Sequence, residues 1–436
     1  MELDIEQIVS LLIFITTFAF IIHDKFHRTV IAFWGAIAMV ISGMVMGFYD
    51  SHQVLDAIDF KTIGLLFGMM MVVAVLEKTG VFEYLGIKVA KLTEGSPWKL
   101  VVYLGTLTTV LSLLLDNVTT IILIVPITIA ITKKLGINPT PILMAEALLS
   151  DTGGVATLVG DPPNIMIGSE AGFSFNTFLT HSLPVVLVAW IATLFLLKFI
   201  FKKEMEQKPQ NLEALLKMDE RKEIKAPRTL KRMVLVLGFI VIAFFVHHHI
   251  GVEPAFVAII GGALALIAIS AKKDPQEILE KTELSVLLFF VSLFVLVGGL
   301  EASGLLGQAA ELIVSGAKEN LLLTAIIILW SSAILSAMVD NIPLTVAMIP
   351  IIGSMQASGL DVNILWWALV FGVGFGGNGS AIGSTANVIV VSKSEKTDTP
   401  ITFKSWFKYG TPAMVVTLLV ATVALVVFEK FFSAAV

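Results

Sequence analysis

Apolar runs long enough to cross a hydrocarbon core recur along the whole chain, and this feature decides most of what it can become. A helix needs roughly 17–25 apolar residues to span a bilayer. Seven or more runs in the 436 residues reach that length. They cannot all be buried in one soluble globule. Charged residues make up 14% of the chain, against about 25% in an ordinary soluble domain. A closed β-barrel would need ~10-residue alternating segments, and none recur. The sequence therefore predicts an all-α polytopic membrane protein. It contains no cysteine, which excludes disulfides, thiolate metal sites and cysteine nucleophiles. A net charge of -5 offers no basic surface to nucleic acid.

The N-terminal residues Met1 to Glu6 are acidic, and the basic cluster Lys25, His27 and Arg28 follows the first apolar run instead of preceding it. That run, about 8–23, reads as a mature helix with its N-terminus outside. Further crossings fall near 29–48, 62–77, 140–170, 180–201, 231–248, 254–271, 284–300, 363–393 and 408–430, about ten in all. The stretches 98–133 and 320–357 are each broken at the middle by Asp-Asn and read as re-entrant hairpins. With both termini outside, all but Lys61, Lys318 and Lys430 of the 29 lysines and arginines fall on inner loops. The positive-inside rule asks for this bias. Two full spans in place of either hairpin would leave the parity unchanged. Residues 202–232 mix both signs of charge and read as a solvated cytoplasmic linker. The expected organisation is a first repeat at 1–201, a linker at 202–230 and a second repeat at 231–436.

The chain repeats itself. Leu76-Glu77-Lys78-Thr79-Gly80 returns as Leu300-Glu301-Ala302-Ser303-Gly304. Asp116-Asn117-Val118-Thr119-Thr120, with Pro126 beyond it, returns as Asp340-Asn341-Ile342-Pro343-Leu344-Thr345, with Pro350 beyond. Gly160-Asp161-Pro162-Pro163-Asn164 is matched by Gly383-Ser384-Thr385-Ala386-Asn387, so the three offsets are 224, 224 and 223. Each half holds an odd number of crossings, so the second must stand upside down relative to the first. Inverted repeats with interrupted helices are the signature of secondary transporters, with the site near the midplane at the repeat interface. Breaking a helix inside the bilayer strands backbone groups, which is tolerated only beside protein or a water-filled cavity. Those groups and the adjacent helix ends then become ligands for ions.

Asp116 and Asp340 lie between apolar segments at equivalent places. A carboxylate in the membrane costs about 2.5–3.5 kcal/mol on insertion scales, so it faces a cavity or a partner. Asp-Asn also caps helices, and the roles are compatible, since amides and carbonyls supply oxygens to a hard cation. Asn117, Thr119 and Thr120, with Asn341 and Thr345 in the second half, join the candidate set. The run from Ser150 to Asn164 is the strongest single signal. Gly153, Gly154 and Gly160 allow a ligand close to the backbone, and Pro162-Pro163 force the helix open. Asp151, Thr157, Asp161 and Asn164 supply oxygens. The partner run has glycines and hydroxyls without a carboxylate, and contributes Asn378, Gly379, Ser380, Gly383, Ser384, Thr385 and Asn387. Glu146, Asp151 and Asp161 have no acidic counterpart in the second half, making them candidates for proton exchange or a second cation. Glu77 and Glu301 each sit at a span end, where an interfacial role is as good a reading as a functional one. His247-His248-His249 reads as an interfacial patch, because consecutive helical residues point in different directions. No nucleophile elbow, P-loop or zinc motif appears. Neither an enzyme nor a bound cofactor is expected.

At these residues the chain resembles the ion transporter superfamily, specifically the ArsB/NhaD group of arsenite exporters and sodium/proton antiporters, and within it the melanosomal P protein branch. The likeness is carried by Leu115 to Thr120, Gly153 to Asn164, Val339 to Pro343 and Gly376 to Asn387, and extends over about 25–430. Divalent-anion/sodium symporters are similar in frame, with Ser-Asn-Thr at hairpin tips and Gly-Thr-Pro-Pro-Asn in the loop. Here Asp116 and Asp340 stand at the tip serines and Asp161 at that threonine. The added negative charge favours a cation or proton over a citrate-like substrate. The resemblance implies a homodimer with a scaffold and a mobile transport body moving as an elevator. The expected function is a secondary transporter in a bacterial or archaeal plasma membrane, of Na+/H+ antiport type or exporting a solute on the proton gradient. Asp116, Asn117, Asn164, Asp340, Asn341 and Asn387 would hold Na+. Efflux of arsenite or another small oxyanion is the first alternative, and a passive ion channel the next.

Overall fold

The computed structural model describes residues 3–23, 26–269, 274–308 and 320–434; Lys25 and Lys318, used above in reading orientation, lie outside them. Among the described residues all regular structure is helical. Eight of the helices are long and apolar enough to cross a membrane, and Ile5–Ile21, Pro254–Ile269 and Asn341–Ala357 are shorter apolar ones. The first half runs Ile5–His23, Arg28–Met46, Phe60–Thr79 and a short Val81–Leu92. A hairpin of Pro97–Ser112 and Asn117–Leu135 follows, then a broken helix of Thr140–Gly154 and Pro162–Ala171, then Phe175–Ile200. The second half repeats the order as Pro227–Val246, Pro254–Ile269 and Leu284–Ala302. Its hairpin is Leu321–Met338 with Asn341–Ala357, its broken helix Asn363–Gly376 with Thr385–Ser394, and Phe403–Val427 closes it.

Local chemistry sets the boundaries. Gly80 (φ 78°) and Gly136 (φ 65°) end helices in the left-handed region, which glycine enters without a Cβ penalty. Ser96 and Pro97 start the first hairpin, the serine hydroxyl accepting from Lys99 N. Asp116 and Asp340 cap the returning arms of the two hairpins.

Packing follows the repeat. Arg28–Met46 packs on Leu284–Ala302, and its equivalent Pro254–Ile269 packs on Phe60–Thr79. The second pair approaches so closely that a Cβ on Gly68 would run into the backbone carbonyl of Ala258, the small-residue contact typical of helices in lipid. Each hairpin crosses over to the other half: Asn117–Leu135 packs on Thr385–Ser394, and Asn341–Ala357 on Pro162–Ala171. Large apolar side chains such as Val45, Phe195 and Phe199 point outward and exposed, the surface that hydrocarbon covers in an integral membrane protein.

The linker is largely exposed, yet it is docked on the first half. Short helices at Lys202–Met205 and Leu212–Leu216 and a 3-10 turn at Glu220–Glu223 lie against the first half. Gln210 N donates to Leu135 O at 2.8 Å, and Lys225 N to Thr79 O at 2.9 Å. Lys91 Nζ meets the Glu220 carboxylate at 2.7 Å, and Leu215 is fully buried. Interleaved charges that suggest solvation in the sequence form ion pairs in the fold.

These contacts also give direction. The linker touches the base of the first hairpin and the far end of Phe60–Thr79, so both face the linker side. The second hairpin shares a cavity, through Val346, Ile349 and Pro350, with Asp56 to Lys61 at the near end of that helix. The two hairpins thus open to opposite faces. Their tips nevertheless reach one carboxylate, since Asn117 and Asn341 both donate to Asp161. Full spans would carry the tips to opposite surfaces; re-entrant hairpins bring them together.

Candidate functional site

Each broken helix is held open by the same set of bonds. In the first, Asn164 Nδ2 donates to Gly154 O at 3.0 Å and Thr157 O at 2.8 Å. In the second, Asn387 Nδ2 donates to Gly377 O at 2.9 Å and Ser380 O at 3.1 Å. The carbonyls stranded by each break are therefore claimed by one amide, which leaves its Oδ1 free. Thr157 Oγ1 donates to Leu113 O at 2.7 Å, and Ser380 Oγ donates to Ala337 O at the equivalent place. Ser112 to Ser150 O and Ser336 to Val373 O complete the correspondence. The chain also pinches shut where glycine is required. A Cβ on Gly160 would lie 2.5 Å from Gly154 O, and one on Gly383 2.6 Å from Gly377 O.

Charge breaks the symmetry. Asn117 Nδ2 lies 3.0 Å from Asp151 Oδ1 and 3.4 Å from Asp161 Oδ1. Asn341 Nδ2 lies 3.1 Å from Asp161 Oδ2, and Ser384 Oγ donates to Asp151 at 3.1 Å. Asp151 and Asp161 are each 1% exposed. Two buried carboxylates within reach of one amide repel each other when both are charged.

The remaining expected residues divide. Asp116 accepts from Thr119 N at 2.8 Å and Thr119 Oγ1 at 2.6 Å, so Thr119 serves the cap. Thr120 is buried and its hydroxyl has no partner. Asn378 Nδ2 donates to Thr152 Oγ1 at 3.1 Å. Thr345 Oγ1 bonds back to Asn341 O within its own helix. Gly153 faces Thr109, where a Cβ would come within 2.6 Å of Cγ2, and Gly379 faces Met414 and Ala337; both positions serve helix packing. Asp340 accepts from Thr385 Oγ1 at 2.6 Å and from Arg28 Nη1 at 3.1 Å. Arg28 is the site residue that sequence reasoning misses, since it reads there only as a flanking positive charge. Glu146, wholly buried, is bonded by the Thr128 hydroxyl through one oxygen and leaves the other unpaired. His247 accepts from Phe175 N at 3.2 Å and joins the two halves. Among the described residues no three or more His, Cys, Asp or Glu side chains converge into a metal-binding group by themselves, so a cation here would also need amide, hydroxyl or carbonyl oxygens.

Residues 18–372 match the family model described as a citrate transporter, CitMHS. The chain belongs to the CitMHS family. Relatives extend along nearly its whole length: a 46 kDa membrane protein of Mycobacterium leprae is 37% identical over 425 residues, 96% of this chain and 98% of its own. An uncharacterized transporter of Mycobacterium bovis is 35% identical over 431 residues, 98% and 99% of the two chains. The human P protein is 31% identical over 490 residues, covering 94% of this chain and 58% of its own length. Among solved structures, the YdaH transporter of Alcanivorax borkumensis, described as having an unusual topology, superimposes with a TM-score of 0.60 over 93% of this chain and 98% of that one. Its identity is 14%, so the likeness is one of fold. As a CitMHS member the chain is one of a family of integral membrane transporters.

Proposed function

We propose that this CitMHS transporter is a secondary active carrier coupled to a small cation, Na+ or H+, held where the hairpin tips meet the two broken helices. The observation that carries the reading is a set of buried oxygens with no hydrogen-bond partner. They are Asn117 Oδ1, Thr120 Oγ1, Ser150 Oγ, Asp151 Oδ2, Asn164 Oδ1, Asn378 Oδ1 and Asn387 Oδ1. A buried polar atom left unpaired costs about 1–3 kcal/mol, so these seven favour a guest from outside the chain, and a hard cation with its water is one that so many oxygens suit. Carboxylate, amide and hydroxyl oxygens are the ligands of a hard cation. Asp116, Asn117, Asn164, Asp340, Asn341 and Asn387 are the proposed Na+ ligands, with Asp151 and Asp161 exchanging the proton.

The family description names citrate, a polyanion. Four aspartates at the site oppose an anion unless cations travel with it, so the cation is the coupling species whichever cargo accompanies or opposes it. The sodium/proton antiporters and arsenite exporters of the ArsB/NhaD group remain the model for an antiport mode. A homodimer whose hairpins and broken helices move as one body against the outer helices completes the proposal. Its orientation, with the termini outside and the linker inside, is supported by the distribution of lysine and arginine. The test uses purified protein in sealed vesicles under an imposed pH step, with Na+, Li+, citrate and arsenite offered in turn. Dissipation or build-up of the pH gradient that depends on Na+ or Li+ is expected. Flux with no such dependence, running passively down every gradient, would assign the fold to a channel.

A further inference from the structure

The charge that meets Asp340 comes from outside the hairpins and broken helices. Arg28 opens the helix Arg28–Met46, which packs on Leu284–Ala302. Thr29 Oγ1 donates to Ser285 O at 3.0 Å, and the Arg28 guanidinium lies 5.3 Å from the centroid of the Phe289 ring, a cation–π contact. Phe289 is itself 1% exposed. The arginine is thus anchored on the outer helix pair. From there Nη1 reaches Asp340 Oδ2 at 3.1 Å and donates to the Thr385 hydroxyl, which donates to the same Asp340 oxygen. One guanidinium ties the tip of the second hairpin and the start of a broken-helix arm to a different part of the molecule.

The internal repeat shows that the frame does not require this contact. At the offset of 224, Asp116 is the counterpart of Asp340, and Val252 stands where Arg28 would be. Asp116 is satisfied by its own helix through Thr119 N and Oγ1. The counterpart of Thr119 is Pro343, which has neither an N–H nor a hydroxyl to give. Asp340 keeps only a long bond from Ile342 N, at 3.3 Å, within its own helix. The second aspartate has therefore lost its local partners and gained a remote cation.

We propose that Arg28 is a tethered cation that occupies the Asp340 half of the ion site in one orientation of the carrier, and that a small cation must displace it before the hairpins can move. The proposal rests on the cation reading of the site and on movement of the hairpins against the outer helices. Guanidinium stays charged at every physiological pH, so the pair does not release by itself losing a proton. Because Arg28 is fixed to the outer helices, it cannot follow Asp340, and each cycle must break the pair. Breaking it leaves a mostly buried carboxylate uncompensated, which is strongly unfavourable unless another positive charge arrives. A loaded carrier is free to move and an unloaded one is held. That is a coupling rule written into one ion pair.

The chain lacks cysteine, so a double cysteine variant at the exposed positions His52 and Gln356 gives clean spin labels. One label sits on the outer-helix side and the other at the base of the second hairpin. Distance distributions measured by pulsed EPR without Na+ should show a single dominant population in the parent. R28Q and D340N should each add a second population at least as large as the first, while R28K retains most of the parent distance. T385V, which keeps the charge pair, serves as the milder variant and should shift the distribution less than R28Q. Na+ should drive the parent toward the second population, with about tenfold less Na+ needed in T385V. Distributions of R28Q and D340N identical to the parent would overturn the latch, whatever the protein transports. A shift in R28Q with no response of the parent to Na+, to Li+ or to a lowered pH would keep the latch and remove the cation reading.

Discussion

Asn164 and Asn387 each do with one amide what a continuous helix does with its own backbone, and this makes them the sharpest residues to remove. Asn164→Ala or Asn387→Ala leaves two stranded carbonyls unpaired, at about 1–3 kcal/mol each. Each variant should lower the melting temperature and cut the initial transport rate roughly tenfold or more, checked by thermal unfolding in detergent and flux in vesicles. Gly160→Ala and Gly383→Ala push a methyl into a carbonyl at 2.5 and 2.6 Å and should abolish transport, whereas Gly47→Ala, with open space around it, should cost only its left-handed backbone strain of about 1 kcal/mol. The paired glycines were legible in the sequence, because a glycine-rich run between apolar flanks, followed by two prolines, marks a helix that must open within the bilayer. The asymmetry of acids was legible too, since Asp161 faces Ser384 across the repeat. Arg28 was not. A basic residue at a span end is what the positive-inside rule expects, and nothing in its neighbourhood marks the one that turns inward to an aspartate 312 positions away.

At the level of elements, the hairpins were visible from the Asp-Asn interruptions, but whether they span or return was not, because parity is the same either way. The meeting of both tips on Asp161 decides it. Single cysteines at Lys134 and Ser358, both exposed, should label from opposite faces, Lys134 from the linker side. Labelling of both from one side would remove the inverted repeat. The docked linker was hidden for a different reason: its partners Leu135, Thr79 and Lys91 are far away in the chain, and charge patterning cannot tell an ion pair from a solvated face. The Lys91 ammonium holds the Glu220 carboxyl below the usual carboxylate range. A depressed carboxyl contributes stability above its ordinary pKa and loses it as the pH falls through the folded value. Proteolysis of the strap should therefore be slowest at neutral pH and modestly faster as acid protonates the carboxyl, and Lys91→Ala should show the same modest increase at neutral pH.

Across the whole molecule, two halves share a hydrogen-bond frame at a nearly constant offset and differ in what the frame carries. The first holds Asp151 and Asp161; the second holds Ser384, Thr385 and a borrowed arginine. A carrier built from two equal halves would present the same binding curve to each side of the membrane. Here the faces cannot match, and half-saturating ion concentrations measured in right-side-out and inside-out vesicles should differ. Equal values on both sides would mean that the unpaired acids do not touch the transported ion. The ratio of the two forward and reverse rate laws is still bound by the driving gradients, so the difference cannot alter where transport stops. What it can set is how fast the carrier runs in each direction at a given load. With an aspartate in one half where the other has a serine, and a proline where the other has a threonine, a duplicated scaffold would act as a rectifier without any change in its architecture, if the two vesicle orientations differ as expected.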